Sequence, residues 1–144
     1  MAFEERAPVI VATAQQTWRT PNVQRTPLDA LEAVAAQALS NSSCDRLRDS
    51  IDCLATVRFI MDTDPNLLEM LPRNPGLLLA ERLGINNASY HQTDVGGNTP
   101  QFLLNHFASR LAAGEFETAL ISGAELLNTF FDALRNGHDI STWR

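Results

Sequence analysis

A small polar residue followed directly by proline occurs at Thr26-Pro27, Asn74-Pro75 and Thr99-Pro100, each time ahead of apolar residues at helical spacing. A side-chain oxygen at such a place satisfies free amides, and proline suits the first turn because its missing N–H had no partner to lose. After Thr26, Asp29 adds a carboxylate where the helix dipole favours one, and Leu28, Leu31, Ala35, Ala38 and Leu39 form one face. The second predicted helix runs from Pro75 through Leu79 to Leu83 and meets Gly84. The third, capped by Thr99, carries Leu103, Phe107 and Leu111 before Gly114. Both glycines stand where a left-handed cap is wanted. A fourth helix is expected over Asn128–Asn136, burying Phe130, Phe131 and Leu134 and stopping at Gly137.

Between the helices lie segments of strand character, Val9–Ala14, Ile51–Ile60, Ser89–Val95 and Thr118–Gly123. The first and last are nearly continuous apolar runs, the pattern of strands covered on both faces. Strand and helix in alternation predict an α/β layered fold with a mixed, largely parallel sheet and right-handed crossovers. The longest irregular stretch, Asp62–Asn74, reads as a solvated connection because of Pro65, Pro72, Asp62, Asp64 and Glu69. Its Leu67, Leu68, Met70 and Leu71 would instead mark an interface or lid if they stood exposed together.

Charge narrows the partners. A formal net charge of −6 argues against nucleic acid and anionic membrane surfaces, since neither would gain attraction. The longest apolar stretches fall far short of the roughly 20 residues that span a bilayer. The start, Met1–Arg6, carries Glu4, Glu5 and Arg6 and leads to an apolar run ending at Gln15, which lacks a secretory layout, so a cytoplasmic location is expected. Cys44 and Cys53 stand in no metal-type spacing with His91, His106 or His138, and a cytoplasmic chain would keep both reduced. No metal or cofactor is expected.

The most informative stretch is Thr93-Asp94-Val95-Gly96-Gly97-Asn98-Thr99-Pro100-Gln101, which joins a strand to a helix through adjacent glycines. Amides at such a junction, with the helix dipole behind them, can hold an anion or a developing oxyanion. Taken alone, the two glycines equally describe a tight turn. Downstream come Ala112-Ala113-Gly114 and then Thr118-Ala119-Leu120-Ile121-Ser122-Gly123-Ala124-Glu125. This order resembles the thiolase superfamily, in which a strand leads into a turn bearing the nucleophilic cysteine, then a buried helix ending in glycine, then an apolar strand ending in a Gly-Ala-Glu type sequence. Matching Gly114 and Gly123-Ala124-Glu125 without a gap puts the cysteine position at Gly97. The resemblance extends back to Pro8-Val9-Ile10-Val11, to the helix from Thr26 and to Asn74-Pro75 with Leu83-Gly84. Within the superfamily, Gly96-Gly97-Asn98-Thr99-Pro100-Gln101 is most similar to sterol-carrier-type members labelled acetyl-CoA acetyltransferases, which commonly lack the standard cysteine.

The resemblance implies a partial first thiolase half over residues 1–144, with the second half, which supplies a histidine and a further cysteine, absent. It implies an acyl-CoA partner, with the thioester as substrate rather than cofactor, bound near Gly96, Gly97, Asn98 and Thr99. No catalytic residue is assigned. Gly97 has no nucleophilic atom, and neither Cys44 nor Cys53 matches the motif. Thr93 has no base in view, and His91, late in a strand, reads as a packed or edge residue. Such a piece would leave a sheet face and the Leu103/Phe107 helix uncovered, so a homo-oligomer or a second subunit is expected. Three functions stay open: a thioester-handling acyltransferase-family segment unable to do Claisen-type transfer alone; a subunit of a thiolase-like aldolase acting on a β-hydroxyacyl-CoA, such as a steroid ester, with an OB-fold-type partner; and a non-catalytic fragment. An unrelated α/β binding domain is the blander alternative.

Overall fold

The computed structural model of the chain describes residues 6–144, so all of the Met1–Arg6 stretch except Arg6 lies outside the described residues. Its regular elements in chain order are α1 Pro27–Asn41, β1 Cys53–Thr56, α2 Pro75–Leu83, β2 Ser89–Gln92, α3 Thr99–Ala112, β3 Ala119–Ser122 and α4 Leu127–Asn136. The strands form one parallel sheet in the order β2-β1-β3, with Leu54 in register with Tyr90 on one side and Leu120 on the other.

Topology decides which helix covers which face. The chain moves outward from β1 to β2 and then returns past β1 to β3, so two right-handed crossovers put α2 and α3 on opposite faces. Leu54 and Leu120 pack with Leu28, Leu31 and Leu79 of α1 and α2, whereas Cys53 and Ala55 pack with Leu103 and Phe107 of α3. The Leu103/Phe107 face expected to lack cover is therefore buried against β1. The uncovered apolar residues of α3 are Phe102 and Leu104.

Only β1 is covered on both faces along its whole length. The Thr118–Gly123 run, expected to be covered likewise, yields β3 with alternate residues only partly buried, because β3 is a sheet edge. Val9–Ala14 forms no strand, and Val9 stands 76% exposed. This segment is tied to α1, where the Asn41 amide donates to the Thr13 carbonyl at 2.9 Å. An apolar run states a need for cover without naming the surface that supplies it.

The helix ends follow local chemistry closely. Thr26 and Asp29 form a reciprocal capping box, with the Asp29 amide donating to the Thr26 hydroxyl and the Thr26 amide to the Asp29 carboxylate. Asn74 caps α2, and Gly84 closes it in the left-handed region at φ 71°. Gly137 closes α4 in the same way. On α4, however, Thr129, Phe130 and Ala133 face the core, while Phe131 and Leu134 point outward. A second cluster gathers Phe130 and Ala133 with Ala30, Met61, Leu71, Ile140 and Trp143. Leu71 is thus core, and only Leu68 and Met70 of the presumed apolar loop cluster are exposed. Among the described residues no helix is long and apolar enough to cross a membrane.

Candidate functional site

All three parallel strands end toward the same side, and the chain leaves β1 and β2 in different directions there, the arrangement that opens a crevice at the carboxyl ends of an α/β sheet. Beyond Gln92 the sheet continues informally through the Thr93 amide, which donates to the Thr56 carbonyl at 3.2 Å. The Thr93 hydroxyl accepts from the Arg58 amide at 3.3 Å. That hydroxyl is engaged in holding two loops together.

The turn into α3 departs from the expected capping. Thr99 is the first residue of the helix, and the cap position belongs to Asn98, whose side chain makes no cap hydrogen bond. The buried Thr99 hydroxyl turns back to donate to the Asp94 carbonyl at 3.4 Å, and the Thr99 amide donates to the Gly96 carbonyl at 3.0 Å. Proline at position 100 falls in the first turn, where its missing N–H had no partner to lose. The N-terminus of α3 is consequently left without a side-chain cap, unlike those of α1 and α2.

The two glycines differ sharply. A Cβ on Gly96 would lie 2.9 Å from the Thr99 Oγ1 and 3.0 Å from the Asn98 Oδ1, so the turn closes tightly there. A Cβ on Gly97 would meet nothing within 4 Å. Neither has positive φ among the described residues. Gly96 is required by packing, whereas Gly97 is an open position at the head of the helix.

Two concavities flank the segment Gln92–Asp94. One, of about 380 Å3, lies between β2 and α3 and is lined by His91, Asn98, Thr99, Phe102, Leu103, His106 and Phe107 together with that segment. The other, of about 560 Å3, lies on the side of the Asp62–Asn74 connection and adds Arg58, Asp62, Leu68, Glu69 and Arg73. Both volumes suit a small-molecule group. Of the expected substrate-binding residues, Asn98 and Thr99 line the first cavity, while Gly96 and Gly97 form the turn beside it.

Acid–base groups cluster at this end of the sheet. Burial pushes the Asp62 carboxyl above its usual range, against the opposing pull of Arg58, whose Nε stands 3.3 Å from Asp62 Oδ2. Glu125, the last residue of the Gly-Ala-Glu sequence, accepts from the Ile60 amide at 2.7 Å. Loss of hydration raises its carboxyl, as does the neighbouring Asp62, while the Ile60 amide works the other way. Gly123 is small for a reason, since a Cβ there would lie 3.2 Å from the Val57 Cβ. The reading of Asp62 as a solvated acid is corrected: it is 8% exposed and paired. Its signal in the sequence was the i,i+4 spacing to Arg58.

His91 sits on the β2 edge with its ring packed edge-on to Phe107 and Phe116. Burial lowers its pKa, helped by the Arg110 cation and by His106. Cys53 is buried and its thiol is pushed up to about 11 by desolvation, so it is a poor nucleophile, and Cys44 is exposed and far along the chain from this end. Among the described residues no three His, Cys, Asp or Glu side chains gather as a metal site.

Neither protein-family models nor curated proteins give a match to the sequence. Among solved structures the chain is similar to a monomeric SCP2-thiolase-like protein type 1 from Mycobacterium smegmatis, with TM-score 0.68 and 27% identity over 85% of this chain and 24% of that one. The α/β architecture, with its three-stranded parallel sheet and four helices among the described residues, therefore matches a thiolase-like fold. The chain spans about a quarter of the length of that protein.

Proposed function

We propose that this chain is a thiolase-like unit that holds an acyl-CoA thioester at the N-terminus of α3 and does not itself form an acyl-enzyme bond. The observation that carries this reading is the uncapped start of α3 beside a cavity of about 380 Å3, with open space at Gly97. A helix N-terminus stabilises negative charge, so the amides around Gly96, Gly97, Asn98 and Thr99 suit a thioester carbonyl whose oxygen gains charge. A thiol at Gly97 would stand where such amides activate it. Glycine supplies none, and Claisen-type acyl transfer needs an activated nucleophile or one brought by another chain.

The missing group and the exposed apolar residues Phe102 and Leu104 on α3 together favour function within a larger assembly, either a second subunit or another copy. A second reading, cleavage of a β-hydroxyacyl thioester with an OB-fold-type partner, draws on one observation: the cavity beside α3 is lined by His91, His106 and Asp94 and by no thiol. Retro-aldol chemistry needs a base and an oxyanion site but no acyl-cysteine.

Calorimetric titration with acetoacetyl-CoA, followed by turnover assays with acetoacetyl-CoA plus CoA and with acetyl-CoA alone, tests the proposal. Saturable binding without thiolysis or condensation is expected. Turnover by the isolated chain, or no binding at all, would sink it.

A further inference from the structure

Thr56 ends β1 and Ser122 ends β3, and the two stand opposite one another in the parallel register. Both are buried, at 0% and 5% exposure, and neither hydroxyl has a hydrogen-bond partner among the described residues. Buried polar groups in folded proteins are almost always paired, so two orphans in one register position call for a common explanation. Alternation along a strand puts Thr56 on the face of Leu54 and Ser122 on the face of Leu120, the face clothed by α1 and α2. The two hydroxyls therefore share one side of the sheet, opposite α3.

Spacing decides what can join them. Register partners on neighbouring strands stand about 4.8 Å apart, too far for two hydroxyls that bond directly at about 2.8 Å. A single oxygen between them, with two bonds of that length at a tetrahedral angle, spans about 4.6 Å. Each hydroxyl carries one proton and two lone pairs, so the occupant must be able both to donate and to accept. It must also be neutral, because Leu28, Leu31, Leu54 and Leu120 on that face offer no compensating charge. We propose that Thr56 and Ser122 form the binding site of one internal water molecule, which bridges their hydroxyls and ties the carboxyl end of β1 to that of β3. Both strands leave the sheet at this point, Val57 leading to Arg58 and Asp62, and Gly123 to Glu125. The bridge fixes the base from which those acid–base groups rise. It does not depend on the thioester reading.

Two measurements on the intact chain test this. Water-17O relaxation dispersion counts long-lived internal waters and is blind to exchanging hydroxyl protons. Thr56→Val and Ser122→Ala should each lower the count by one, since a buried water needs at least two polar partners, while Thr56→Ser should leave it unchanged. In urea, each of the first two variants strands one hydroxyl and should lower the midpoint by about 0.5 M. The double variant strands none, so its midpoint should fall no lower than that of either single variant. A count that survives Thr56→Val or Ser122→Ala, or midpoint shifts that simply add in the double variant, would overturn the proposal. So would a parent chain with no long-lived water, which needs no variant at all. Should one single variant fail to fold, the water count in the other decides.

Discussion

Replacing Gly96 and Gly97 in turn by alanine separates a glycine demanded by packing from one that is merely present. At Gly97 the new Cβ meets nothing within 4 Å and φ lies outside the left-handed region. The main consequence is a less flexible unfolded chain, a gain of about 0.5 kcal/mol. At Gly96 the Cβ arrives 2.9 Å from Thr99 Oγ1 and 3.0 Å from Asn98 Oδ1. Asn98 is exposed and can swing aside. Thr99 is 9% exposed and its hydroxyl bonds the Asp94 carbonyl, so moving it costs up to about 1 kcal/mol in the hydrogen bond and about 1 kcal/mol in rotamer strain. After the same unfolded-state gain, Gly96→Ala is destabilised by about 1.5 kcal/mol, and the two variants differ by about 2 kcal/mol. With a urea slope near 2 kcal/mol per molar, their midpoints should lie about 1 M apart. Tryptophan fluorescence reads the transition, since Trp143 is 1% exposed in the native core. Coincident midpoints, or Gly97→Ala the weaker of the pair, would refute the reasoning.

Capping provides a second contrast. Thr26→Ala removes one arm of a capping box and should cost about 1 kcal/mol, whereas Asn98→Ala removes a side chain with no cap bond and should cost well under that, both read by urea denaturation. The cysteines should separate under iodoacetamide at pH 8, where mass spectrometry is expected to find Cys44 alkylated in the native chain and Cys53, with its thiol near 11, modified only on unfolding. For Glu125, a folded-state pKa above its ordinary 4.5 means that the group's contribution to stability is full below that value and is lost as pH rises through the higher one. Gln at this position keeps an oxygen for the Ile60 amide, so Glu125→Gln should gain stability relative to the parent between pH 4 and pH 7. Denaturation curves at the two pH values check the sign, and a relative loss would contradict it.

The parts legible in the chain were those governed by near neighbours. Thr26 with Asp29, Asn74 with Pro75, Gly84 and Gly137 each act within a few residues of themselves, and each ends a helix as its chemistry requires. Alternation of strand and helix, with the handedness of crossovers, was enough to anticipate a parallel sheet clothed by helices.

Tertiary structure decided the rest. Thr99 has the chemistry of a cap, yet the path of the Asp94–Asn98 turn brings the Asp94 carbonyl within reach of its hydroxyl and moves the cap position to Asn98. Val9–Val11 and Phe131 are as apolar as the buried runs, but burial belongs to the surface a segment meets, and these stay more than half exposed. His91 reads from the sequence as a packed or edge residue; the rings packed against it come from α3 and from Phe116 before β3, and its Nε2 is buried without a partner among the described residues. The sequence by itself determined where α1 and α2 begin and where α2 and α4 end, because those caps depend on adjacent atoms. Which polar atoms converge on the crevice at the strand ends depends on residues far apart in the chain, and only the folded sheet brings them together.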